Sequence, residues 1–114
     1  MEIGKIMSHI LDSIPYPILF VDCDHIIQYM NNPAKYHYYT EKGHKDLIGK
    51  SLLDCHNEQS RGKIIEAVEK LKDHGNEIFL GVSVKNQRMY INPVRDENGE
   101  LIGYFERFEL NLQK

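Results

Sequence analysis

Asp96-Glu97-Asn98-Gly99-Glu100-Leu101-Ile102-Gly103-Tyr104 is the stretch that decides the fold class of this chain. Asn98-Gly99 offers left-handed backbone positions at little steric cost, so the chain reverses there in a tight hairpin. From Leu101 to Leu110 the residues suit a strand leaving that turn. On its other side Met89, Tyr90 and Ile91 form a partner strand, and Pro93 either bulges it or ends its central portion. One strand earlier, Ile78, Leu80, Val82 and Val84 alternate onto one face, and Asn86-Gln87 makes the turn. Three antiparallel strands therefore close the chain.

Ahead of them lies a longer helix, capped by Asn57 or Ser60 and running to about Asp73, where His74-Gly75-Asn76 ends it. Ile64, Ile65, Val68 and Leu71 are its expected buried stripe; Lys63, Glu66, Glu69, Lys70 and Lys72 face water. Ser51 to Cys55 suits a single helical turn. Asn31-Asn32-Pro33 starts a short helix holding Ala34 to Tyr39. Ile18 to Val21 and Ile26 to Met30 read as two strands joined through Asp22-Cys23-Asp24-His25. Glu2 to Ser13 carries Ile3, Ile6, Met7, Ile10 and Leu11 at helical spacing, and Ile14-Pro15-Tyr16-Pro17 stops it. The sum is an α+β domain, a five-stranded antiparallel sheet with short helices and one longer helix on one face. An N-terminal helix at 1–13, one domain at 14–110 and a tail at 111–114 are expected.

With 114 residues, the chain has length for one core and not for two. Its formal net charge is −3, with both signs mixed and no basic stripe, so a nucleic-acid partner is not expected. No apolar run reaches membrane-spanning length and no signal pattern is present, so no membrane partner is expected. Cys23 and Cys55 make no disulfide framework, which suits the cytoplasm. His9, His25, His44 and His74 lack zinc-ligand spacing, and neither a glycine-rich phosphate loop nor a nucleophile elbow occurs. The chain is not expected to be an enzyme.

Leu53-Asp54-Cys55-His56-Asn57-Glu58-Gln59-Ser60-Arg61 carries the most informative chemistry. It places an imidazole and a thiol just before the long helix. His56 there has the location for an iron ligand, or for a partly exposed contribution to the helix cap. Cys55 is either a thiolate ligand or an inert buried thiol. Arg61 and Lys63 suit propionate contacts or solvated helix charges. Ile64, Ile65 and Val68 would wall a pocket from the helix, and Leu80, Val82, Met89, Ile91 and Phe105 from the sheet. The same residues also suit an ordinary core. Tyr36, His37, Tyr38 and Tyr39 form a second aromatic cluster, bordering a pocket or a surface contact.

The chain resembles the PAS sensor fold from about Leu11 to Leu110. The resemblance rests on Ile14-Pro15-Tyr16-Pro17-Ile18, Asp22, Tyr29-Met30-Asn31, Leu47-Ile48-Gly49-Lys50-Ser51 and the hairpin at Asp96 to Tyr104. Leu53 to Ile64 is also similar to the haem-binding PAS subgroup of bacterial carbon-monoxide-responsive regulators. There a histidine followed by serine, arginine and lysine supplies the proximal ligand, matched here by His56, Ser60, Arg61 and Lys63. That resemblance implies haem b with His56 as the metal ligand, and a diatomic gas or redox signal passed on by conformational change. A homodimer and a separate signalling partner are expected with it. Leu80, Gly81 and Val82 stand where the subgroup carries a methionine ligand, so ligand switching is not implied. The alternatives are a haem-free dimerisation or protein-interaction module, and a PAS domain for another small apolar ligand.

Overall fold

The computed structural model describes residues 1–73 and 75–112. Its elements follow the chain as α1 (Ile3–Ser13), β1 (Leu19–Asp22), β2 (Ile27–Met30), α2 (Asn32–Lys35), a π-helical turn (Tyr36–Glu41), a 3₁₀ turn (Leu52–Cys55), α3 (Glu58–Asp73), β3 (Ile78–Val82), β4 (Gln87–Arg95) and β5 (Leu101–Leu110). The five strands form one antiparallel sheet in the order β2-β1-β5-β4-β3. The first and last strands in sequence thus lie side by side, with Leu19 opposite Glu106 and Val21 opposite Tyr104. Gly103 permits that approach, because a Cβ there would run into the Val21 carbonyl and the Phe20 ring.

The sheet's inner face carries Leu19, Val21, Ile27, Ile91 and Tyr104, which pack with Leu52 and with Ile64, Ala67, Val68 and Leu71 of α3. Helical spacing explains that stripe, with one change from the expected set. Ala67 is buried and Ile65 is exposed, since Ile65 lies off the line through residues 64, 68 and 71. Asn57 accepts the Ser60 N–H at 2.9 Å and so caps α3. Replacing Asn57 by alanine is expected to cost about 1 kcal/mol, read as a lower urea midpoint with an unchanged slope.

Other departures from the sequence reading have local causes. Only Gly99 takes a left-handed conformation in the β4–β5 turn, with φ 80°. The Asp96 side chain does the rest, accepting the N–H groups of Asn98 and Glu100. Val84 lies beyond β3 and is fully exposed, because it sits in the turn that the Asn86 N–H closes to the Ser83 carbonyl at 2.9 Å; within β3 the register slips between Phe79 and Gly81, where Gly81 has φ 140°. Pro93 continues β4 past the point where β3 begins opposite Ile91, so no β3 ladder bond is lost. The expected short helix is two elements: α2, capped by Asn31, then a wider turn closed by Lys42 N–H to the His37 carbonyl at 3.1 Å. The expected helix end at His74, and the last two residues of the 111–114 tail, lie outside the described residues.

Asn31 ties these pieces together. Fully buried, it accepts the Ile18 and Ala34 N–H groups and donates to the Leu11 and Tyr16 carbonyls. The C-terminal end of α1 is held there by Asn31 and by Asp12, which accepts the Asn32 N–H at 2.8 Å. No residue of α1 is buried.

Candidate functional site

A cavity of about 610 Å³ opens between the inner sheet face, the start of α3 and the π-helical turn. Leu80, Val82, Met89 and Phe108 form its apolar sheet wall, and Ile64 faces them from α3. The π-helical turn supplies Tyr36, His37, Tyr38 and Glu41, with Lys42 following. A shallower hollow of about 420 Å³ runs along α1 beside Glu2, Lys5, Ser8 and Asp12, and is open to solvent.

Two polar side chains on the lining of the larger cavity carry most of its chemistry. The first is His56, held by the 3₁₀ turn Leu52–Cys55 with its Nδ1 at 2.9 Å from the Leu52 carbonyl. A carbonyl only accepts, so Nδ1 carries the proton and donates, leaving Nε2 as the other ring nitrogen. The second is Glu106 of β5, only 6% exposed. Strand alternation forces it inward: Tyr104 and Phe108 fill the same face on either side. Among the described residues no hydrogen bond or ion pair reaches the Glu106 carboxylate. Burial therefore raises its pKa above the ordinary 4.5, while His56, whenever its ring is protonated, and Lys42 draw it back down.

Neighbouring groups stay neutral or are already engaged. Burial, with Glu106 and Cys55 nearby, holds the Tyr38 phenol well above its ordinary value. Burial likewise pushes the Cys55 thiol up to about 11, and this thiol donates to the Leu52 carbonyl at 3.0 Å. Lys85 is paired with Glu41 at 2.6 Å, and His37 lies 3.1 Å from the same carboxylate. Lys42 places its ammonium 5.6 Å from the centre of the Tyr38 ring. Further along β5, the neutral Tyr104 phenol meets Nδ1 of His25 at 2.8 Å, and burial lowers the pKa of His25.

Of the residues expected to form the site, His56, Ile64, Leu80, Val82 and Met89 border this cavity. Val68 and Ile91 are fully buried in the packed core instead. Phe105 pairs with Phe20 on the opposite sheet face, and Arg61 and Ile65 are exposed on α3. Glu106, Lys42 and Phe108 were not among the expected site residues, while Tyr36, His37 and Tyr38 of the second aromatic cluster do border the cavity. The signal for Glu106 was present: a charged residue two positions from an inward aromatic on each side.

The expected haem site is corrected by this geometry. Among the described residues no group of three or more histidine, cysteine or acidic side chains is placed to hold a metal ion. The Tyr38 ring, 2% exposed, packs 6.5 Å from that of His56, and the unpartnered carboxylate of Glu106 borders the same cavity. Five residues of the expected haem wall and propionate contact, Arg61, Ile65, Val68, Ile91 and Phe105, lie elsewhere. A protonated Cys55 is no thiolate ligand. Haem b, His56 as an iron ligand and the diatomic gas partner do not fit the residues present. The homodimer and the separate signalling partner expected alongside them have no support in the geometry. No described helix is long and apolar enough to cross a membrane.

Residues 11–109 match the family model described as the PAS fold. Among solved structures, the chain is similar to a C-terminal domain from Streptococcus mutans, with TM-score 0.74 and 22% identity over 93% of this chain and 83% of that one. A PAS domain of BvgS from Bordetella pertussis follows with TM-score 0.67 and 17% identity, covering 97% and 87%. A sensory box sensor histidine kinase from Vibrio cholerae has TM-score 0.66 and 15% identity, covering 92% and 88%. No curated protein matches the sequence.

Proposed function

Because this chain belongs to the PAS fold family, we propose that it is a non-catalytic sensor domain whose signal is a small molecule taken into the cavity beside Glu106. The observation that carries this reading is the Glu106 side chain, 6% exposed and without a hydrogen bond among the described residues, on the wall of a cavity of about 610 Å³. A volume of that order suits a drug-sized or smaller organic molecule. An apolar sheet wall would hold the body of the ligand, and the His56–Glu106 end would orient its polar head. Residues 14–110 form the sensing unit in this reading, with 1–13 as an appended helix. Two free cysteines favour a reducing cytoplasm.

Signal transmission follows from the position of Glu106 on β5. Its neighbours Phe105 and Arg107 project from the opposite sheet face, where Arg107 is clamped by Glu77 at 2.8 Å and stacks 4.3 Å from the Tyr90 ring. A ligand that displaces Glu106 would shift that outer network through one strand. The similarity to a sensory box sensor histidine kinase fits such an input role.

Native mass spectrometry of the freshly purified chain tests the reading. The expected spectrum has a discrete small-molecule increment that denaturation releases, and Leu80→Trp, which fills the cavity, loses it. An increment retained unchanged in Leu80→Trp would place the molecule elsewhere and contradict the proposal.

A further inference from the structure

Building on the ligand-sensing reading, we propose that the ligand is a compact organic amine, bound as its ammonium with Glu106 and Nε2 of His56 as hydrogen-bond acceptors. The inner end of the cavity is acceptor-rich. Glu106 offers a carboxylate that no described donor reaches. His56 has committed its Nδ1–H to the Leu52 carbonyl at 2.9 Å, so Nε2 is the ring nitrogen left for a ligand, and it accepts when it carries no proton. A ligand that satisfies both must bring donors.

An ammonium group does so and also cancels the buried charge. Charge-assisted bonds of this kind are about twice as strong as neutral ones, and a carboxylate with little access to water gains from a cation bonded directly to it. The aromatic lining agrees. Lys42 already holds its ammonium 5.6 Å from the centre of the Tyr38 ring, so that ring presents a face that accepts a cation.

The opposite chemistry, a carboxylate ligand anchored by lysines, meets two obstacles. Lys85 is taken by Glu41 at 2.6 Å, and an acid reaching the inner end would face Glu106. Lys63 is exposed at the rim, where salt screens its repulsion of an incoming amine. A neutral alcohol or amide could donate one bond but would leave the charge of Glu106 in place.

Amide-resonance titration of the full chain near pH 7 tests this with three probes of one shape: phenethylamine, 2-phenylethanol and 3-phenylpropionate. The expected result is that phenethylamine shifts the amides of Leu80, Met89 and Glu106 and binds about tenfold or more tighter than the other two. In Glu106→Gln its advantage over 2-phenylethanol should fall to about twofold or less, with alcohol binding retained. An acid or alcohol that binds wild type as tightly as the amine overturns the ligand class, whatever the variant does. So does an amine preference that survives in Glu106→Gln. Cavity resonances that respond without amine preference leave the ligand-sensing reading standing. Resonances silent to all three probes overturn both.

Discussion

Asn31→Leu is expected to destabilise the domain by about 4 kcal/mol, taking each of the four lost hydrogen bonds as about 1 kcal/mol. Leucine has the branching of asparagine with bulkier methyl ends, and leaves the Ile18 and Ala34 N–H groups and the Leu11 and Tyr16 carbonyls without the partner they share. Against a typical total stability of about 5–15 kcal/mol, that loss is large. Urea unfolding should show a strongly reduced midpoint. Asn31→Asp sharpens the point. It keeps both accepted bonds and turns both donated bonds into oxygen–oxygen contacts, so it should damage the fold near pH 7 almost as much. Its protonated form regains one donor, so the damage should lessen at acid pH. A cost below about 1 kcal/mol for Asn31→Leu would mean that this side chain does not join α1, β1 and α2.

Glu106→Gln has the opposite sign. The variant keeps the shape and removes the charge, so near neutral pH it should be more stable than wild type by about 1–3 kcal/mol. The pH dependence follows from the raised pKa of Glu106. A carboxyl raised in the folded state binds its proton more tightly there than in the unfolded chain. Stability is therefore lost as pH climbs from the ordinary value of 4.5 to the folded value, about 1.4 kcal/mol for each unit of separation. Below 4.5 the group is neutral in both states and its charge costs nothing. His56 and Lys42 are present in both proteins and moderate the cost without reversing it. Urea unfolding of both proteins at about pH 4, 6 and 8 should show the gap opening as pH rises. A gap that is flat across that range would mean that Glu106 carries no buried charge. A stability gain joined to a loss of amine binding is the pattern expected where a strained group serves recognition.

Much of the fold was legible because its signals are local. The strand expected from Leu101 to Leu110 matches the bounds of β5, and the proline pair after Ser13 ends α1 where expected. The cap and proline at residues 31–33 mark the start of α2. What escaped depends on partners distant in sequence. The four bonds of Asn31 reach Leu11, Tyr16, Ile18 and Ala34, and only the last is predictable from a capping pattern. The turn closed by the Asn86 N–H to the Ser83 carbonyl takes Val84 off the strand face it shares with Ile78, Leu80 and Val82 in the sequence reading.

The site was harder to read, for a physical reason. Hydrophobic patterning favours Phe105 inside and Glu106 outside. The parity of β5 is set instead by Tyr104 and Phe108 together, which carries Glu106 inward and turns Phe105 outward. His56 was correctly singled out as a polar group before α3 that borders the cavity. Its assignment to iron came from a short sequence resemblance, and side-chain packing around Tyr38 and Glu106 decided otherwise.

Carbon-13 spectra of the Glu106 carboxyl, recorded across pH in the free chain and again with saturating phenethylamine, test the central claim most directly. The expected midpoint in the free chain lies above 4.5, and the amine moves it down by favouring the ionised form. A free-chain midpoint at or below 4.5, unmoved by the amine, would contradict a buried carboxylate waiting for a cationic partner.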